Sequence, residues 1–488
     1  MQKTWPKPSG IDEVADAPRL LEGRYGTKEM CDIWGTDADT YLAIMNAQVA
    51  GLDTINEMHP GRLPEKYVEA LRRTANFEHI NPDDVRREEA RTKHDVIAVN
   101  NIWGQAAEKA ESGASSIINF MRTSADSTEP AKAMRCKQSF EVLADSLENL
   151  RDILLERSME WIDAPHIDQT HLYDALPTVA GRPVSHYAEM LQSDLDVIAF
   201  FHRFSLLAKW AGETGNHHNT VAGEINGIEL QEAYARKLGL RCMTAPAQIA
   251  GREFNADIIY ALSRTSGTLA NIGNYVSTNR GSDAALYSYM NPNRAKGSAG
   301  MPHKDLFGGN PTAEEQAQAL LHGLAGKMVT AIETIKMDYA RNLDGSATDR
   351  LDLGPAFKFT DHVTRRLAEV FYWLELDRDR ALERLNRTYG VVTSSQVLTY
   401  LTDPMRTSQP MPRKQAHNLL GDLAARAYLD KRQFFDVLTE CPEVTERIDA
   451  DTLKMITDPV KYIGQSKKII ERNYGRFYRT KTFNAPKL

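Results

Sequence analysis

Apolar residues recur at intervals of three and four along the middle of the chain. Leu143, Leu147, Leu150 and Leu154 follow such a spacing, which lines one face of a helix. Leu191, Leu195 and Ile198 begin a second stripe, and Ile258, Leu262, Leu269 and Ile272 form a third. A fourth is predicted from Leu321, Leu324, Met328 and Ile335, and a fifth from Val363, Leu367, Val370 and Leu374. No run of alternating β-branched residues long enough for a sheet competes with them, so the expected class is all-α. Stripes of this kind ordinarily pack a core. Five long helices at near-heptad spacing imply a bundle with shallow crossing angles.

Breaks are expected at residues 181–185 (GRPVS), 244–253 (TAPAQIAGRE) and 291–311 (NPNRAKGSAGMPHKDLFGGNP). Glycines at 297, 300, 308 and 309 and prolines at 292, 302 and 311 forbid regular structure through most of the last one. A loop of about 20 residues inside a compact domain is uncommon, and such loops are usually functional or disordered. Past residue 376 the helical signals shorten and charges rise. The expected organisation is an N-terminal helical domain (1–115), a central helix-bundle domain (116–376) carrying loop 291–311, and a C-terminal helical domain (377–488).

Composition narrows the class further. The 488 residues carry 59 Lys+Arg against 66 Asp+Glu, a net charge of −7, which argues against a nucleic-acid binder working through a broad basic surface. No run of about 18 apolar residues offers a membrane span, and the polar, Pro-bearing first residues lack the apolar core of a secretory signal. Cys31, Cys136, Cys242 and Cys441 are too scattered for a zinc site or a disulfide framework. A soluble, reduced, cytoplasmic protein with neither nucleic acid nor membrane as partner is expected.

Histidines are the first candidates for chemistry because they titrate near neutrality. His94, His171 and His303 stand beside polar or chain-breaking partners, although a lone histidine is more often structural. The pair His217-His218 would need further ligands to hold a metal, and the sequence identifies none. Arg24-Tyr25, Lys93-His94, Thr123-Ser124, Lys304 and the series Arg341, Ser346, Arg350 supply the cations and hydroxyls that an anionic ligand requires. Taken singly, each is more often a surface residue or a helix cap than part of a site.

Several segments together resemble a known family. KGSAGMPHKDLFGGNP (296–311) looks like the signature loop GSSxMPxKxNP of the fumarase/aspartase superfamily, and DQTHLYDALPTVAG (168–181) resembles its THxxxAxP motif. RTSADSTEPA (122–131), GRYGTKEMCDIW (23–34), RTKHDVIAV (91–99), GETGNHHN (212–219), APAQIAGRE (245–253) and RNLDGSATDR (341–350) are similar to segments of the adenylosuccinate lyases within it. The tail, from TYGVVTSSQVLTYL to DPVKYIG, resembles the C-terminal domain of that branch, so the resemblance covers residues 20–475.

That resemblance implies an all-α, three-domain subunit whose five long central helices join those of three other subunits in a twenty-helix homotetramer core, with active sites shared between subunits. It implies anti β-elimination that releases fumarate, most readily from adenylosuccinate (and from SAICAR) in purine biosynthesis, with no metal or organic cofactor. Ser298 matches the base, with the glycines at 297 and 300 and Lys304 near enough to stabilise its alkoxide. Lys304 and Asn310 match the residues that bind the carboxylate where charge develops. His171 matches the general acid to the leaving amine, Glu315 the carboxylate that orients it, and His94 a histidine that positions substrate. Arg24, Tyr25, Arg341, Ser346 and Arg350 match positions around a nucleotide phosphate. Lys93, Asp95, Thr123, Ser124 and Gln248 match positions along the succinyl and purine moieties.

The sequence departs from the family pattern in three places. Ala299 stands where the second signature serine belongs, DLFGG replaces a single residue between Lys304 and Asn310, and THLYDALP replaces the usual THGQPA. A lyase acting on another N-substituted aspartate therefore stays open, as does a non-catalytic homologue that keeps only the fold.

Overall fold

The computed structural model describes residues 24–293 and 298–484. Helices α1 (Asp37–Met58), α2 (Pro82–Thr92) and α3 (Asp95–Ala110) lead into five long ones: α4 (Ala125–Glu160), α5 (Gly181–Phe204), α6 (Glu253–Arg280), α7 (Thr312–Glu333) and α8 (Asp344–Trp373). The five apolar stripes fall on these helices except for the last residues of the fourth and fifth, Ile335 and Leu374. Leu143, Leu147, Leu150 and Leu154 are fully buried on α4, which is about 54 Å long at 1.5 Å per residue. Each such leucine contributes roughly 1.5–3 kcal/mol of burial energy, so α4 forms because its stripe is covered along its whole length.

One buried cluster runs from Met30 through the N-terminal helices and the bundle to Ala381. A second, separate cluster holds Val397, Leu420, Phe434, Leu438 and Leu453. Helix α9 (Arg378–Asn386) leads toward that second cluster, and α10 (Ser466–Phe477) returns from it to the bundle. There Asn473 Nδ2 donates to the Ser185 carbonyl (2.7 Å) and hydroxyl (2.9 Å).

Four features differ from the sequence reading. GRPVS is not a break but the start of α5, because Pro183 sits in the first turn, where its missing N–H costs nothing. Ile335 lies beyond α7 and is 41% exposed, and Leu374 belongs to a short strand. Residues 302–307 form a 3₁₀ helix within the loop expected to be irregular. The chain also contains short strands: a hairpin β1 (Pro165–Thr170) and β2 (Tyr173–Val179), a parallel bridge between β3 (Leu207–Ala208) and β4 (Arg241–Cys242), and an antiparallel pair β5 (Tyr287–Tyr289) and β6 (Leu374–Leu376).

The hairpin matters most for position, since it carries the TH motif. Thr170 pairs with Tyr173, leaving His171 and Leu172 as a two-residue turn with φ of 53° and 67°. Two successive positive φ values define the tight turn that favours Asn-Gly. A His-Leu pair holds that shape against its own preference, and strain of this kind tends to sit at functional positions.

Candidate active site

Three segments distant in sequence meet around His94. The residue is the N-cap of α3, directly after Lys93, which closes α2 in the left-handed conformation at φ 56°. His94 Nε2 lies 3.4 Å from Ser124 Oγ, at the start of α4. On its other side Nδ1 lies 3.3 Å from Asp95 Oδ1 without forming a hydrogen bond. Asp95 Oδ2 accepts 2.6 Å from the Arg350 guanidinium on α8. Burial would push the Asp95 carboxyl up, but Arg350 and the Val96 N–H outweigh it and hold the group below its usual range. The cluster thus brings His94, Asp95, Ser124 and Arg350 together, with Lys93 exposed at its edge and Thr123 adjoining Ser124.

The remaining candidates form smaller groups. Arg341 donates to Gln248 Oε1 at 3.1 Å. Ser346 is half-buried in the first turn of α8. Arg24 is exposed, and Tyr25 packs edge-on against Phe359 and His362 of α8, with ring centroids 6.2 and 5.6 Å apart. In the signature loop Lys304 Nζ donates to Asn310 Oδ1 at 3.1 Å, so the DLFGG insertion still leaves lysine and asparagine side by side. Ser298 Oγ accepts from the Met301 N–H at 3.1 Å. Gly297, expected to assist Ser298, lies outside the described residues.

His171 and Glu315 are exposed, one at the hairpin tip and one in the first turn of α7. Among the described residues, no hydrogen bond or ion pair within one chain joins His171, Ser298 or Glu315 to the His94 cluster. His217, half-buried in a left-handed turn, donates its backbone N–H to the Ala211 carbonyl.

Several residues that hold this arrangement escaped the sequence reading. Asp126 is fully buried, pairs with Lys209, and accepts from the N–H groups of Thr123 (2.8 Å), Ala211 and Gly212 (both 3.0 Å). It therefore fixes the Thr123-Ser124 segment against the GETGN turn. Arg280 pairs with buried Glu314 and donates to the carbonyls of Gly308 (3.3 Å) and Gly309 (3.1 Å), clamping the end of the signature loop. Gly308 (φ 83°) lies so close that a Cβ there would come 2.4 Å from the Tyr289 carbonyl oxygen.

A third group orders the start of α8. Glu129 binds Lys132 (2.8 Å) and Arg252 (3.0 Å), while Asp349 binds Lys132 and Arg252 (both 3.3 Å) and accepts from Asn255 (2.5 Å). Burial opposes the charge on Glu129, yet the two cations hold its carboxyl down at about 2. The only sequence signal for these residues was proximity: Asp126 follows Thr123-Ser124, and Asp349 precedes Arg350.

Comparison with known proteins agrees across the chain. A family model described as "Lyase" matches residues 40–328, and one described as "Adenylosuccinate lyase C-terminus" matches residues 390–473. The adenylosuccinate lyase of Methanocaldococcus jannaschii is 26% identical over 452 residues, 92% of this chain and 94% of that protein. The adenylosuccinate lyase of Methanothermobacter thermautotrophicus is 26% identical over 454 residues, 93% of this chain and 97% of its own. Among solved structures, the 3-carboxy-cis,cis-muconate lactonizing enzyme of Pseudomonas putida superposes with a TM-score of 0.81 at 19% identity, covering 95% of this chain and 99% of that one. A fumarate lyase from a Mesorhizobium species superposes with a TM-score of 0.80 at 17% identity, covering 93% and 98%.

Proposed function

Because the chain belongs to the lyase family of the fumarase/aspartase superfamily and is an adenylosuccinate lyase-like enzyme, we propose that it converts adenylosuccinate to AMP and fumarate, and SAICAR to AICAR and fumarate. The observation that carries this reading is the meeting of His94, Asp95 and Ser124 with Arg350, one of the three arginines suited to a nucleotide phosphate.

The chemistry asks for a weakly acidic proton beside a carboxylate to leave before the C–N bond breaks. In the proposed mechanism the Ser298 alkoxide takes that proton, and the electron pair moves onto the neighbouring carboxylate. Lys304 and Asn310, already hydrogen-bonded to one another, stabilise the doubly charged group that results. The pair then returns to form the carbon–carbon double bond as the C–N bond breaks. His171 gives its proton to the departing amine, leaving fumarate and AMP. Glu315 orients His171, while His94 with Thr123 and Ser124 holds the succinyl group. Arg24, Arg341 and Arg350 take the phosphate, with Tyr25 and Ser346 beside it, and Gln248, Lys93 and Asp95 border the remainder.

Among the described residues no hydrogen bond or ion pair within one chain joins His171 to Ser298 or to the His94 cluster, as a site assembled from several subunits of a homotetramer would have it. An exposed apolar stripe on and after α7, with Val329 at 65%, Ile332 at 53% and Ile335 at 41%, supports the same assembly.

Ser298→Ala separates the roles. The variant is expected to bind adenylosuccinate as the parent does and to lose turnover by at least ~100-fold, the lower range for a positioned acid or base. Near-parental turnover would remove Ser298 as the base. A second reading, a different N-substituted aspartate as substrate, is favoured by Ala299 and by the exposed Leu172-Tyr173 in place of the usual motif residues. It predicts fumarate release from such a conjugate and none from adenylosuccinate.

A further inference from the structure

A cavity of about 470 Å³ lies at the root of the hairpin, between β1, the first turns of α5, the C-terminal part of α6, and α9. It contains none of the residues assigned to the reaction above. Two side chains lining it are buried with polar atoms unpaired among the described residues: His166, 4% exposed, at Nδ1, and Arg384, 6% exposed, at Nε. Among the described residues Arg384 makes one side-chain hydrogen bond, a 3.2 Å contact to Asn279 Oδ1. Leaving such buried polar groups unpaired costs about 1–3 kcal/mol each and more when charged, which a ligand seated between these two lining residues would offset.

The charge of the lining indicates what that partner is. Arg182, half-buried in the first turn of α5, is a second guanidinium on the wall and makes no hydrogen bond or ion pair with a described residue. It stands in the first turn of the 24-residue α5 helix, whose dipole adds positive potential at that end. Asn271 and Asn274 add neutral donors, against a single lining carboxylate, Asp168. Burial first, and then Arg384, push His166 down to about 4, so its imidazole is neutral near pH 7 and offers one N–H donor beside the two guanidiniums.

We propose that this cavity is a second binding site, taking a small oxyanion, carboxylate or phosphate, between Arg384, His166 and Arg182. Guanidinium forks and a helix N-terminus both select such groups. Ile167, Asp168, Gln169 and Leu172 of the hairpin share the cavity wall. An occupant therefore ties the element that presents His171 to α5 and α9.

The test is calorimetric titration of the full-length protein with inorganic phosphate, and separately with succinate. The parent, Arg384→Gln and Arg350→Gln proteins are compared. The expected result is a binding event, separate from any at the substrate site, that Arg384→Gln weakens at least tenfold and Arg350→Gln leaves intact. Preference for phosphate or for succinate then identifies the kind of oxyanion. Should Arg384→Gln fail to fold, Arg182→Gln, at a half-buried position, is expected to weaken the same event. Binding abolished by Arg350→Gln and unchanged by Arg384→Gln or Arg182→Gln would overturn the proposal, as would no binding at all.

Discussion

Arg350 and Asp95 sit where two demands on one side chain meet. In the free chain the guanidinium neutralises Asp95 at 2.6 Å, and in the proposed reaction it also receives a phosphate. Replacing it by glutamine removes a charge-assisted contact of roughly 1.5–3 kcal/mol. Arg350→Gln is therefore expected to raise the KM for adenylosuccinate roughly 10- to 150-fold, and a steady-state titration checks this. An unchanged KM would place the phosphate elsewhere. Ser298, Lys304, Asn310 and Arg350 could be proposed from sequence because the motifs that carry them are contiguous. Asp126 and Arg280 were not, since their partners lie far along the chain: Lys209 is 83 residues from Asp126, and Glu314 is 34 from Arg280. Only folding makes those pairs neighbours.

Elements were legible in proportion to how one-sided their burial is. The α4 stripe reads as a helix because every fourth or third residue is covered, whereas α7 was overextended to Ile335 because its outer face is apolar too. The hairpin escaped notice for two reasons. Its turn carries His-Leu rather than Asn-Gly, and its second strand includes Pro177 beside a register shift between Ile167 and Gln169. At the other end of the site, Gly308 permits the close approach of the signature loop to β5. Gly308→Ala adds a Cβ where φ is positive and Tyr289 leaves no room. We expect kcat to fall at least tenfold because Lys304 and Asn310 shift with the loop, with little change in the far-ultraviolet dichroism of the helices. Parental kcat would show that the clamp is not needed.

For the molecule as a whole, the buried Glu129–Lys132–Arg252–Asp349 network ties α4, α6 and α8 together and should appear in the pH dependence of stability. The folded-state pKa of Glu129, about 2, is depressed below its usual value of 4.5. Its contribution, about 3 kcal/mol by linkage, is therefore complete above the unfolded pKa and is lost as pH falls toward 2. Glu129→Gln should flatten the acid limb of urea midpoints measured from neutrality downward, and lower stability at pH 7 by roughly 3–5 kcal/mol because Lys132 and Arg252 lose a buried partner. An acid limb as steep as the parent's would contradict this. Mixing and refolding Ser298→Ala with His171→Ala should restore part of the activity if subunits share sites, since hybrids contain some intact combinations. No recovery would confine each site to one chain.

The most direct measurement is turnover of adenylosuccinate by the purified protein, following the ultraviolet change and assaying fumarate separately. The account predicts AMP and fumarate in equal amounts, with both formed at least ~100-fold more slowly by Ser298→Ala. A well-folded protein that releases fumarate only from a different aspartate conjugate, or not at all, would contradict it.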